Sequence, residues 1–222
     1  MRLLLGLLLL LSQQLSLAKT TSKYDDLIKT ASRLYLPLWD WRWYRSQLEQ
    51  ESLLNPLAES HVGAKGIAQF MPATWSDMQR ELKFNGSRND AYKSIRAGAY
   101  YDKKLRNVWK WKRTEEDRRR LTFASYNAGT GNILKAQQYC IGSRRWEHIQ
   151  LCLHQVTGGN ALETINYVNT IEIRFSKQIG KSVTDNGRRF SFDPLSEWWQ
   201  TQEKLCSIAN QESGFKTMSP SQ

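Results

Sequence analysis

A helix that carries an acid on its core-facing stripe, then stops and runs into a glycine-bounded loop, leaves few folds open to the segment 41–72. Trp41, Tyr44, Leu48 and Glu51 fall at offsets 0, 3, 7 and 10, which on a helical wheel is an arc of about 80°. Glu51 therefore shares the apolar stripe, although a glutamate at a helix end is ordinarily solvated. Asn55-Pro56 ends the helix just beyond it, because proline disfavours helical geometry in the residue before it. Gly63 and Gly66 then bound a loop that returns to Gln69 and Met71. An acid that water cannot fully solvate keeps its proton towards neutral pH and can donate it to a leaving group. Glu51 is the candidate general acid.

The rest of residues 24–180 also reads as helices. Tyr24, Leu27, Ile28, Ala31 and Leu34 repeat at helical spacing, as do Leu162, Ile165, Val168 and Ile171, with Tyr167 fitting less well. No run alternates as a strand would, and the glycines cluster at 63–66, 129–131 and 158–159, where they punctuate helices. The expected fold is mainly α, with at most a small β element near the loop that follows Glu51. Trp39, Trp41 and Trp43 cannot all face one way on a helix. Core and interface packing is the preferred reading for most of the nine tryptophans, and stacking on sugar rings is the alternative.

The first eighteen residues stand apart. Arg2 precedes a nine-residue run, Leu3 to Leu11, and Ser16-Leu17-Ala18 supplies small residues for a signal peptidase. The run is about half of what a bilayer-spanning helix needs. The expected domains are a signal peptide over 1–18, a catalytic domain over 19–180 and an extension of unknown role over 181–222. The catalytic part is expected to be exported, periplasmic or extracellular after cleavage near Ala18, with no transmembrane span in the mature chain. An uncleaved signal anchor is the alternative. Three cysteines in an exported chain call for one bridge and one leftover. Cys140 and Cys152 are the expected pair, with Cys206 left unpaired or intermolecular, and three free thiols are the alternative. His61, His148 and His154 have no partners at ligand spacing, so no metal is expected. The formal charge of +11 suits an acidic surface polymer. The basic residues carry no recognisable nucleic-acid motif, so nucleic acid is not expected as a partner. The run Arg113 to Arg120 reads as a solvated, salt-bridged helix start.

Glu51-Ser52-x-x-Asn55-Pro56, Ser60, Gly63-Ala64-x-Gly66, Gln69 and Met71-Pro72-x-Thr74 together resemble the signature of the soluble lytic transglycosylase family. Three further segments follow in the family's order: Ala97-Gly98-Ala99-Tyr100-Tyr101 with Leu105, Ala124-Ser125-Tyr126-Asn127-Ala128-Gly129, and Glu163-Thr164-Ile165-Asn166-Tyr167-Val168. The resemblance covers roughly residues 24 to 180. The chain departs from it at Ala68, where methionine is common, and at His61, where proline often follows the serine.

The resemblance implies a lysozyme-like α+β fold dominated by helices, acting on peptidoglycan glycan strands without a cofactor. In such enzymes one glutamate protonates the bond between N-acetylmuramic acid and N-acetylglucosamine, then takes a proton from the sugar's 6-hydroxyl, giving a 1,6-anhydro product. Glu51 would be that glutamate. Ser60, Gln69, Met71, Tyr126 and Asn127 would line the subsites, and Glu163 would be a structural or subsite residue. A lysozyme-type muramidase and an inactive wall-binding assembly protein are the alternatives. The roles open to such an enzyme include wall turnover and phage entry or lysis. Association with a wall-spanning secretion, conjugation or phage assembly is therefore a further partner class. Near the end, Ile208 to Phe215 echoes the start of the signature around Glu212, without the loop that would complete a site.

Overall fold

The computed structural model describes residues 23–180. The expected signal segment, Cys206 and the echo around Glu212 lie outside the described residues. Helices α1 (Asp25–Tyr35), α2 (Trp41–Ser52), α3 (Pro72–Leu82), α4 (Ala91–Val108), α5 (Glu115–Ala128), α6 (Thr130–Tyr139), α7 (Trp146–Cys152), α8 (His154–Thr157) and α9 (Asn160–Gln178) follow in order. Local chemistry sets their starts. Asp40, Asp90 and Thr114 cap α2, α4 and α5 through side-chain oxygens that accept from Arg42 N, Lys93 N and Asp117 N. Pro72 opens α3, where the missing N–H is an orphan in any helix.

The core joins these helices around α2 and α5. Helix α2 lies against α9 and α1, α5 packs on α9, α4 and α6, and α1 lies along α4. Ile28, Leu36, Tyr44, Leu48, Ile67, Ile95, Leu121, Phe123, Val168 and Ile171 are all essentially inaccessible to water. The β element reduces to isolated antiparallel bridges, Glu59 with Lys65 and Lys65 with Phe70, both in the loop after α2. Cys140 and Cys152 form a disulfide with Cα atoms 5.8 Å apart, tying the end of α6 to the end of α7.

Some details depart from the periodicity. Leu34 is 60% exposed. Helix α1 ends at Tyr35, and the inward positions near its end go to Ser32 and, beyond the helix, Leu36. Helix α2 stops at Ser52, before Asn55-Pro56, because Leu53 and Leu54 both take left-handed backbone (φ 54° and 61°). The run at 113–120 does start a helix, but its arginines are not simply solvated. Arg119 lies over the Trp43 ring at 3.8 Å, and Arg120 donates to Glu172 on α9 at 2.6 Å. Trp43 in turn stacks on Phe175 at 3.6 Å, while Trp39 is buried against Phe123. Packing accounts for both tryptophans.

Candidate active site

Glu51 is the penultimate residue of α2, one to two turns beyond the buried Tyr44 and Leu48. It retains some access to water, yet its surroundings are dense enough that burial dominates its titration. Loss of solvation raises its carboxyl to about 7, against a smaller opposing effect from a hydrogen bond donated by the Tyr167 hydroxyl. That hydroxyl, from α9, donates to Glu51 Oε1. With Oε1 engaged as an acceptor, Oε2 is the oxygen on which the acidic proton belongs. The phenols of Tyr44, Tyr126 and Tyr167 are pushed well above their usual range by burial first and by neighbouring carboxyls second. All three therefore stay O–H donors around the acid.

The loop after α2 is held from several sides. Ser52 Oγ donates to Ile67 O at 2.8 Å, joining the end of α2 to the loop. Gln69 adopts φ 46°, and its amide donates to Gly66 O (2.8 Å) and Ala58 O (3.2 Å). Ser60 Oγ accepts from Ala64 N at 2.9 Å. Arg88 closes the far side, with one guanidinium nitrogen donating to Gly63 O (2.7 Å) and Phe70 O (2.8 Å). Gly66 cannot be replaced without distortion, since at φ 83° a Cβ would sit 2.0 Å from Arg88 O. Tyr126, from α5, donates to Ala68 O at 2.6 Å and so ties the loop to the helix that faces it. The small Ala68 is fully buried, and a Cβ at Gly98 on α4 would lie 3.2 Å from its own. The same Cβ would lie 2.4 Å from the Tyr44 hydroxyl, so Gly98 takes no side chain without movement of its neighbours.

The residues singled out from sequence thus fall into two groups. Glu51, Gln69, Ser60 and Tyr126 converge on one loop and its floor. Met71 is 43% exposed at the start of α3. Asn127 forms a separate node with α9, accepting from Thr164 Oγ1 (2.7 Å) and donating to Glu163 Oε1 (3.3 Å). Glu163 itself is exposed. Sequence reasoning passed over two residues. Tyr167, noted as an imperfect member of the α9 stripe and within the Glu-Thr-x-x-Tyr-Val segment but given no role, is the side chain that touches the acid. The motif Glu-Thr-x-x-Tyr-Val contained the signal, since Glu163 and Tyr167 lie one turn apart. Arg88 had no local signal, because its partners are backbone carbonyls 25 and 18 residues away. Among the described residues, no cluster of three or more His, Cys, Asp or Glu could hold a metal ion, and no helix is long and apolar enough to cross a membrane.

Residues 46–149 match the family described as Transglycosylase SLT domain. The membrane-bound lytic murein transglycosylase F of Desulfosudis oleivorans is 31% identical over 154 residues, covering 60% of this chain and 32% of the relative. The protein of the same name from Alteromonas mediterranea is 35% identical over 98 residues, covering 44% and 20%. The chain thus spans a third or less of the length of these curated relatives. Among solved structures, the 70 kDa soluble lytic transglycosylase of Escherichia coli aligns with a TM-score of 0.53 at 23% identity. That alignment covers 75% of this chain and 27% of the other. An inactive mutant of the lytic transglycosylase Slt from Pseudomonas aeruginosa aligns with a TM-score of 0.55 at 18% identity, covering 71% and 24%. At these identities the structural matches speak for the fold, which is that of the lysozyme-like transglycosylases.

Proposed function

We propose, from the chain's place in the soluble lytic transglycosylase family, that it cleaves the β-1,4 bond between N-acetylmuramic acid and N-acetylglucosamine in peptidoglycan, leaving a 1,6-anhydro end. The observation that carries this reading is Glu51, an acid held by burial to about 7 beside a tyrosine that fixes which oxygen bears the proton. Glu51 Oε2 donates its proton to the glycosidic oxygen as the bond breaks. The resulting carboxylate then takes the proton of the 6-hydroxyl, whose oxygen closes on the anomeric carbon. A group titrating near neutrality serves both steps, because it is neither too weak to donate nor too strong to accept.

Most glycosidases need a second carboxylate as nucleophile or base. Asp102 is fully buried and out of reach of a sugar, while Glu163 is exposed and engaged with Asn127. The site therefore favours attack by the substrate's own hydroxyl over activation of water. A lysozyme-type hydrolase would need a second carboxylate placed to activate water. Ser60 and Gln69 would act mainly by shaping the loop, with Met71, Tyr126 and Asn127 along the glycan path. Their roles as subsite residues belong to this proposal, as do the catalytic domain over 19–180 and an exported location where peptidoglycan lies. Mass spectrometry of fragments released from purified wall tests the reaction. Products lighter by one water than the hydrolysed fragments support it, and hydrated reducing ends would establish a hydrolase instead.

A further inference from the structure

Beneath Glu51 lies a second acid that the proposed reaction does not use. Asp102, on α4, is fully buried. Its Oδ1 accepts from Gln47 Nε2 at 3.2 Å, and Gln47, also buried, sits on α2 one turn before Glu51. The two remaining oxygens of this pair, Gln47 Oε1 and Asp102 Oδ2, are both buried and both without a hydrogen-bond partner. Two orphan acceptors on facing groups are what results when the proton between them is left out, because a carboxylic acid and a primary amide can close through one N–H···O and one O–H···O bond. We infer that Asp102 carries a proton on Oδ2 and closes on Gln47 through two antiparallel hydrogen bonds, forming a neutral pair that positions Glu51 against α4. The inference rests on the reading of Glu51 as the reacting acid.

The surroundings agree from every side. The groups facing Asp102 are Gln47, Glu51 and Tyr44 from α2, Tyr101 from its own helix, Tyr126 from α5 and Tyr167 from α9. Among the described residues, no lysine or arginine figures among the influences on it. Burial, with the Glu51 charge added, drives its carboxyl well above the usual range against the smaller effect of the Gln47 hydrogen bond. A neutral Asp102 matters for the chemistry above it. A charge there would oppose ionisation of Glu51 and obstruct the return half of the reaction, in which Glu51 must let its proton go. The pair also supplies a direct link between α2 and α4 beside the site, along with the Tyr44 hydroxyl on Ile95 O at 2.6 Å.

The closing experiment has a spectroscopic and a kinetic arm. Infrared spectra of Glu51→Gln protein at neutral pH should contain the C=O band of a protonated buried carboxyl, and this band should vanish in the Glu51→Gln/Asp102→Asn protein. Spectra that differ only in the carboxylate region would overturn the inference. In the kinetic arm, Asp102→Asn exchanges one neutral group for another that can make the same two bonds, so the alkaline apparent pKa of wall cleavage should stay where it is. A downward move would mean that a negative charge had been removed, and would also overturn it. Asp102→Ala should lower kcat by up to about 10²-fold through misplacement of Glu51, with KM little changed, and Asp102→Asn should recover the loss. Undiminished kcat in folded Asp102→Ala would refute the positioning role. If that variant does not fold, the infrared and pH-profile results still decide. Full activity of Glu51→Gln with the Asp102 band intact would instead count against Glu51 and leave the neutral pair standing.

Discussion

On the proposed reading one carboxyl, that of Glu51, carries the chemistry, and its neighbours set when it can act. Glu51→Gln keeps the shape and removes the acidic proton, so wall cleavage should fall by about 10²–10⁴ in a folded protein. Near-normal clearing of a wall suspension by that variant would exclude Glu51 as the acid. Tyr167→Phe removes a hydrogen bond that favours the ionised form. Its alkaline limb should therefore shift to higher pH while kcat falls, and an unshifted limb would show that the contact does not tune the acid. Stability follows the same titration. The folded carboxyl titrates at about 7 and the unfolded one near 4.3, so the folded state binds more protons between those values and loses stability as pH rises through that window. Glu51→Gln escapes this cost. It should be more stable than the wild type at pH 8, by at most about 4 kcal/mol, with the difference vanishing near pH 4. A constant difference across that range would mean that the carboxyl is not desolvated.

At the scale of elements, the loop after α2 is a set of backbone carbonyls held by side chains from elsewhere. Gly66→Ala meets both a left-handed backbone and a Cβ contact of 2.0 Å with Arg88 O. It should cost more than about 2 kcal/mol and disorder the loop, visible as a lowered midpoint in urea. The Cys140–Cys152 bridge closes a loop of sequence separation 12, worth about 3 kcal/mol in the chain-entropy model. Replacing both cysteines by serine should lower stability by that order, and unchanged stability would assign the bridge no structural role. These elements also mark what could be read from sequence. The α2 stripe ending in Glu51 was legible because helical periodicity is local, and the cysteines because their spacing is short. The end of α2 was read too late, since two consecutive left-handed leucines have no compositional mark. Leu34 was misplaced because periodicity cannot say where a helix meets the edge of the core. Arg88, Tyr167 and Asp102 act across 18 to 116 residues of chain, and only the folded arrangement shows what each one meets.

Over the whole molecule, 32 Lys and Arg against 21 Asp and Glu give a formal charge of +11. Much of this cationic surface is committed inside the fold, as with Arg45 on Asp25 (2.8 Å) and Arg106 on Glu115 (2.6 Å). What remains should still draw the protein to an acidic wall polymer. Sedimentation with purified wall should show binding that weakens steeply between low salt and about 0.15 M, as screening shortens to roughly 8 Å. Salt-independent binding would point to a neutral glycan surface alone. Among the described residues no cation figures among the influences on Glu51, and the packing of α2 against α9 is free to hold its proton. The most direct test of that claim is a titration of the Glu51 carboxyl carbon by NMR in the folded protein. The account predicts a midpoint of about 7. A midpoint at or below about 4.3, the value of a free glutamate, in protein that still cleaves wall would contradict it.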